Sequence, residues 1–93
     1  MSLLPPDEIE LQLKSLQGWR LVGDMILRDF VFPDFRQAMD FVNKVAALAE
    51  TANHHPDIDI RYNKVRLCLT SHDAGGMTRR DFKMATAVSA MDV

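Results

Sequence analysis

The segment "DIDIRYNKVRLCL", residues 57–69, constrains the fold of this chain more than any other. Apolar and polar residues alternate on both sides of Asn63-Lys64, with Ile58, Ile60 and Tyr62 before it and Val65, Leu67 and Leu69 after it. Successive side chains of a strand point to opposite faces, so this alternation predicts two strands with one apolar face each. With Asn63 and Lys64 at the centre of a two-residue turn, Tyr62 pairs with Val65, Ile60 with Leu67 and Ile58 with Leu69. Each pair is apolar on both sides, which supports the register. An isolated hairpin is at best marginal in water, so other elements must cover its apolar face.

Helices are the natural cover. "FRQAMDFVNKVAALAE", residues 35–50, places Phe35, Ala38, Met39, Val42, Val45, Ala46 and Ala49 at helical intervals of three and four. Pro33 and Asp34 before it can start a helix. "LPPDEIELQLKSL" predicts a shorter amphipathic helix on Ile9, Leu13 and Leu16, ended by Gly18. "WRLVGDMILRDFVF" predicts two strands around Gly23-Asp24, with Ile26, Phe30 and Phe32 on one face. After the loop "DAGGM", Thr78 and Asp81 have the spacing of a capping box and open a last helix that runs to about Ala90. The order α-β-β-α-β-β-α predicts an α+β fold, a four-stranded antiparallel sheet with three helices packed on one face. One domain spanning residues 1–93 is expected, since 93 residues suffice for a single core and not for two.

Composition excludes several classes of function. The net charge is −2, with 13 acids against 11 bases, so a general nucleic-acid footprint is not expected. Cys68 is the only cysteine, which rules out an intrachain disulfide and fits a reducing compartment. The N-terminus "MSLLPPDEIE" has neither the basic nor the apolar region of a signal peptide, and no apolar run approaches the ~20 residues of a membrane span. A cytoplasmic protein without membrane contact is the expectation.

The three histidines all lie at the ends of the hairpin segment. Carried outward, the predicted register sets His55 opposite His72, with Cα atoms about 4.5–5.5 Å apart in such a ladder. Pro56 frays the ladder there, yet a slip of one residue still leaves His72 beside His54 and His55. Glu50 lies four residues before His54 and can reach that imidazole if the long helix continues. The loop 73–77 and the start of the last helix also offer backbone N–H groups to a ligand's oxygens.

Simpler readings compete residue by residue. One histidine in a small domain is most simply structural or solvated, whereas three converging from separate strand ends point to a site. A metal held by His54 or His55 with His72 and Glu50 is the obvious rival. Adjacent histidines in an extended strand face opposite ways, however, and no HExxH motif or second cysteine is present. Asp81 is explained by capping alone, and Trp19 by a place in the core. Cys68 falls on the polar face of the hairpin with no evident base. Arg79 and Arg80 oppose the helix dipole, and either solvation or an anion facing them would account for that.

Taken together, Glu50, His54-His55-Pro56, Tyr62, His72 and Asp81 resemble the signature of the pterin-4a-carbinolamine dehydratase family. "GW" at Gly18-Trp19, "FPDFRQAMDFV" and "GGMTRRD" extend the resemblance over nearly the whole chain. It implies the same α+β fold, assembly into a homodimer or homotetramer, and a pterin substrate. The implied reaction is dehydration of 4a-hydroxytetrahydropterin to quinonoid dihydropterin, the step that recycles the product of aromatic amino-acid hydroxylases. It further implies catalysis by His54, His55 and His72, with Glu50, Trp19, Ser71 and Asp81 as supporting or substrate-binding residues. His54 and His72 would be the acid and base, and His55 would mainly hold the pterin. Trp19 would line the pocket, and Asp81 would fix the loop that carries His72. No metal or other cofactor is implied. A mammalian member also serves as the dimerisation cofactor of a homeodomain transcription factor, so a regulatory binding module is the alternative.

Overall fold

Asp34 sets the start of the longest helix by accepting a hydrogen bond from the Gln37 N–H at 2.9 Å. That helix is α2 in a computed structural model that describes residues 2–91. The elements are α1 (Pro6–Lys14), β1 (Arg20–Val22), β2 (Met25–Val31), α2 (Phe35–Ala52), β3 (Asp57–Arg61), β4 (Lys64–Leu69) and α3 (Arg79–Ser89). The four strands form one antiparallel sheet in the order β1-β2-β4-β3, and the helices pack on one face of it. The expected fold and element order are both observed.

One face of the sheet and the apolar stripe of α2 make the core. Ile26, Val65, Leu67 and Leu69 from the strands are buried against Phe41, Val42 and Val45 of α2 and Phe82, Ala85 and Val88 of α3. Phe41 sits 4.6 Å from the Phe30 ring and 5.1 Å from Phe32, measured between centroids. Burying one such ring stabilises the fold by about 1.5–3 kcal/mol. Phe41 is not among the residues that the helical spacing singles out, whereas Phe35, which is, lies half exposed at the first turn of α2. The buried stripe is instead Ala38, Phe41, Val42, Val45 and Ala49. α1 contributes only the partly buried Ile9 and Leu13, with Leu16 buried just beyond its end.

The hairpin differs from the expected register. Ile58 pairs with Leu67, Ile60 with Val65 and Asp57 with Cys68, so the turn is Tyr62-Asn63 and not Asn63-Lys64. A shift of the turn by one residue moves every pair by two along the partner strand, which leaves the faces unchanged. Tyr62 carries the turn's positive φ of 54° and is exposed, so it is not a core residue. Asn63 fixes this choice: its side chain donates to the Phe32 carbonyl at 2.8 Å, and its own carbonyl accepts from the Phe32 N–H.

On the outer face of the sheet, Asp29, Asp59 and Arg66 stand beside Leu27 and Val31. Arg66 makes a two-pronged contact to Asp29 at 2.6 and 3.0 Å, and this guanidinium holds the Asp29 carboxyl below its usual range. Among the described residues no helix is long and apolar enough to cross a membrane.

Candidate active site

The site begins at the end of α2. Asn53 closes the helix in the left-handed conformation (φ 50°, ψ 42°), and the His54 N–H returns to the Ala49 carbonyl at 3.1 Å. Asparagine tolerates this backbone better than other residues with a Cβ. The turn sends the next two residues in opposite directions. His54 is buried, and His55 is exposed.

Buried His54 meets a prepared partner. Its Nε2 lies 2.6 Å from Oδ1 of Asp81, a carboxylate with no exposed surface. The other oxygen, Oδ2, accepts from the Ser71 hydroxyl and from the Thr78 N–H, both at 2.9 Å. Since the Ser71 proton goes to Asp81, the Thr78 hydroxyl donates to Ser71 Oγ across 2.7 Å. Thr78 Oγ1 in turn accepts the Arg80 N–H at 3.3 Å. All members of this buried chain are paired, as burial of polar groups requires. With Nε2–H directed at Asp81, Nδ1 is the ring nitrogen of His54 that stands outside this network.

Asp81 therefore does more than the expected capping. It forms the capping box with Thr78, steadies the residue before His72 through Ser71, and holds His54 as well. Glu50, by contrast, pairs with His55 and not with His54. The left-handed Asn53 is the reason: it ends the helical progression that would have stacked residue 54 over residue 50. Among the described residues, the other ring nitrogen of His55 has no hydrogen-bond partner.

His72 follows Ser71 at the far end of the hairpin and is exposed. The loop beyond it is wound back on itself, with the N–H groups of Ala74, Gly75 and Gly76 all directed at the Ser71 carbonyl at 2.9–3.2 Å. These donors were expected to face a ligand, and they are engaged within the loop instead. Gly75 takes a positive φ of 80° to complete the winding. Asp73 pairs with Arg80, whose guanidinium holds that carboxyl below its usual range.

A cleft of about 260 Å³ is lined by Asn53, His54, His55, Thr70, His72 and Asp73. The three imidazoles are thus brought together despite the altered register, because a two-residue shift moves His72 along the cleft without removing it. Asn53, Thr70 and Asp73 were not singled out from the sequence, although Asn53 and Asp73 each adjoin a histidine in the chain and Thr70 lies two residues before His72. Trp19 is placed elsewhere. Its Nε1 donates to Ser89 Oγ at 2.9 Å and its ring meets Phe30 edge-on. Ser89 ends α3, about 16 Å along the helix from Thr78 at 1.5 Å per residue. A larger depression of about 530 Å³ lies on the outer sheet face around Asp29, Asp59, Arg61 and Arg66, away from all three histidines. Among the described residues, no three histidine, cysteine or acidic side chains converge as a metal-ligand set. The set imagined for a metal is divided, with Glu50 turned to His55 and His54 turned to Asp81.

Comparison with known proteins agrees with this architecture. The family described as "Pterin 4 alpha carbinolamine dehydratase" matches residues 2–91. A candidate pterin-4-alpha-carbinolamine dehydratase of Acidobacterium capsulatum is 56% identical over 91 residues, covering 98% of this chain and 99% of its own length. Its counterpart in Thermomicrobium roseum is 50% identical, with 98% of each chain covered. Among solved structures, a transcriptional coactivator/pterin dehydratase from Brucella melitensis superposes with a TM-score of 0.91 at 37% identity, covering 95% of this chain and 96% of that one. A pterin dehydratase-like protein identified as a RuBisCO assembly factor in the alpha-carboxysome gives 0.68 at 27% identity, over 80% of this chain and 88% of that one. By the match of nearly its whole length and by its relatives, this chain belongs to the pterin-4a-carbinolamine dehydratase family.

Proposed function

We propose that this chain is a hydro-lyase that dehydrates 4a-hydroxytetrahydropterin to quinonoid dihydropterin by histidine acid–base catalysis. One observation carries the reading: three imidazoles converge on one open cleft, and one of them is fixed by a buried carboxylate network. In the reaction the C4a–O bond breaks, the leaving hydroxyl takes up a proton and departs as water, N5 gives up its proton, and a C4a=N5 double bond forms. Histidine titrates near neutrality and suits both proton transfers. His54 acts through Nδ1 and His72 from the opposite strand end, one as acid and the other as base. His55, tied to Glu50, holds the pterin. The steps move only protons, and the chain acts as one domain in a cytoplasmic homodimer or homotetramer that serves an aromatic amino-acid hydroxylase.

The test is the ultraviolet decay of freshly generated 4a-hydroxytetrahydropterin. Wild-type protein is expected to accelerate it, and the His54→Ala/His72→Ala double variant to lose at least 10²-fold of that acceleration, the usual scale of one acid–base contribution. No acceleration by folded wild-type protein would remove the enzyme reading. A second reading, a binding module on the same fold, is favoured by the likeness to a RuBisCO assembly factor. A stoichiometric partner whose binding survives His72→Ala would support it.

A further inference from the structure

Arg80 occupies the first turn of α3, where a cation opposes the helix dipole. An untethered arginine there would extend into water. Arg80 instead folds back so that Nη2 meets Asp73 Oδ1, and its Nε is buried with no partner among the described residues. Leaving a guanidinium N–H buried and unpaired is unfavourable, so the pairing with Asp73 must outweigh it. Asp73 is the residue after His72 and lines the same cleft. Its loop is wound on the Ser71 carbonyl, so a tether at Asp73 is also a tether on His72.

We propose that Arg80 and Asp73 form a positioning pair that sets the charge and the placement His72 presents to the cleft. His72 shares the lining of the cleft with three other titratable side chains. Asp73 comes from its own loop, and His54 and His55 from the segment that joins α2 to β3, backed by Asp81 and Glu50 respectively. α3 contributes Arg80 through its pairing with Asp73. Without Arg80, the Asp73 carboxylate would stand uncompensated beside His72 and favour its protonated form. Without Asp73, the Arg80 cation would favour the neutral ring. With neither, both effects are absent. The inference rests on the dehydratase reading for what His72 accomplishes, and not for how its ring titrates.

Histidine side-chain NMR titration of the full chain tests the pair without any substrate. Arg80→Gln is expected to raise the His72 midpoint, because the Asp73 carboxylate is then left without its cation. Asp73→Asn is expected to lower it, and Asp73→Asn/Arg80→Gln to bring it back toward wild type. Asp73 is exposed, so its variant keeps the test open should Arg80→Gln fail to fold. The acid limb of kcat/KM against pH should move with the His72 midpoint in each variant. An unchanged midpoint in both folded single variants, or shifts of the same sign in both, would overturn the proposal. If wild type shows no turnover while the midpoints move as stated, the dehydratase reading fails and the positioning pair stands.

Discussion

At the scale of single residues, Asp81 ties together three parts of the chain. Three donors converge on its two oxygens, and one of them belongs to a histidine of the cleft. Asp81→Asn keeps the shape but turns an NH2 toward one of those donors. Such a mismatch in a buried network is expected to cost about 1–3 kcal/mol, read as a lower urea midpoint at unchanged m. The same change should impair turnover more than His55→Ala does, since it releases the ring that the network holds. The types and spacing of Glu50, His54, His55, His72 and Asp81 were legible in the sequence because few residue types carry this chemistry. Which carboxylate meets which imidazole was not. Glu50 at four residues from His54 looks like its partner on a helix, and only the left-handed Asn53 reassigns it to His55. Asp81 shows a capping signature that fully accounts for its presence, so nothing local points to its second role.

At the scale of elements, faces were legible and register was not. Alternation fixes which residues look inward, and Val65, Leu67 and Leu69 are all buried as expected. The turn position depends on the contact of Asn63 with Phe32, a residue 31 positions away, and no local pattern reports that contact. The junction between α2 and β3 is a comparable case. Asn53→Gly keeps the left-handed turn and is expected to alter stability by no more than a few tenths of a kcal/mol, the entropy of glycine offsetting its freedom. Asn53→Val forces a β-branched residue into positive φ and should cost about 1–2 kcal/mol. It should also weaken the hold of Asp81 on His54, because the turn is what directs that ring inward. Thermal or urea unfolding of the two variants side by side checks the contrast.

At the scale of the whole molecule, layer architecture and element order followed from the alternation of two periodicities along the chain. The helices cover the face that carries Ile26, Phe30, Val65, Leu67 and Leu69, all of them buried. The position of Trp19 did not follow, since it is set by Phe30 and Ser89, far apart in sequence and joined only in the finished fold. The bond between His54 and Asp81 joins the end of α2 to the start of α3. In the language of linkage, it makes occupancy of the cleft a report on the integrity of the fold. A ligand that takes Nδ1 of His54 needs the ring where Asp81 holds it, and that place exists only once α3 has docked. An unreactive pterin analogue should therefore raise the melting temperature in proportion to the logarithm of its concentration, contributing about 2.7 kcal/mol at a hundred times its Kd. Differential scanning calorimetry should find that increment reduced or absent in Asp81→Asn, because the ring is no longer delivered ready to bind.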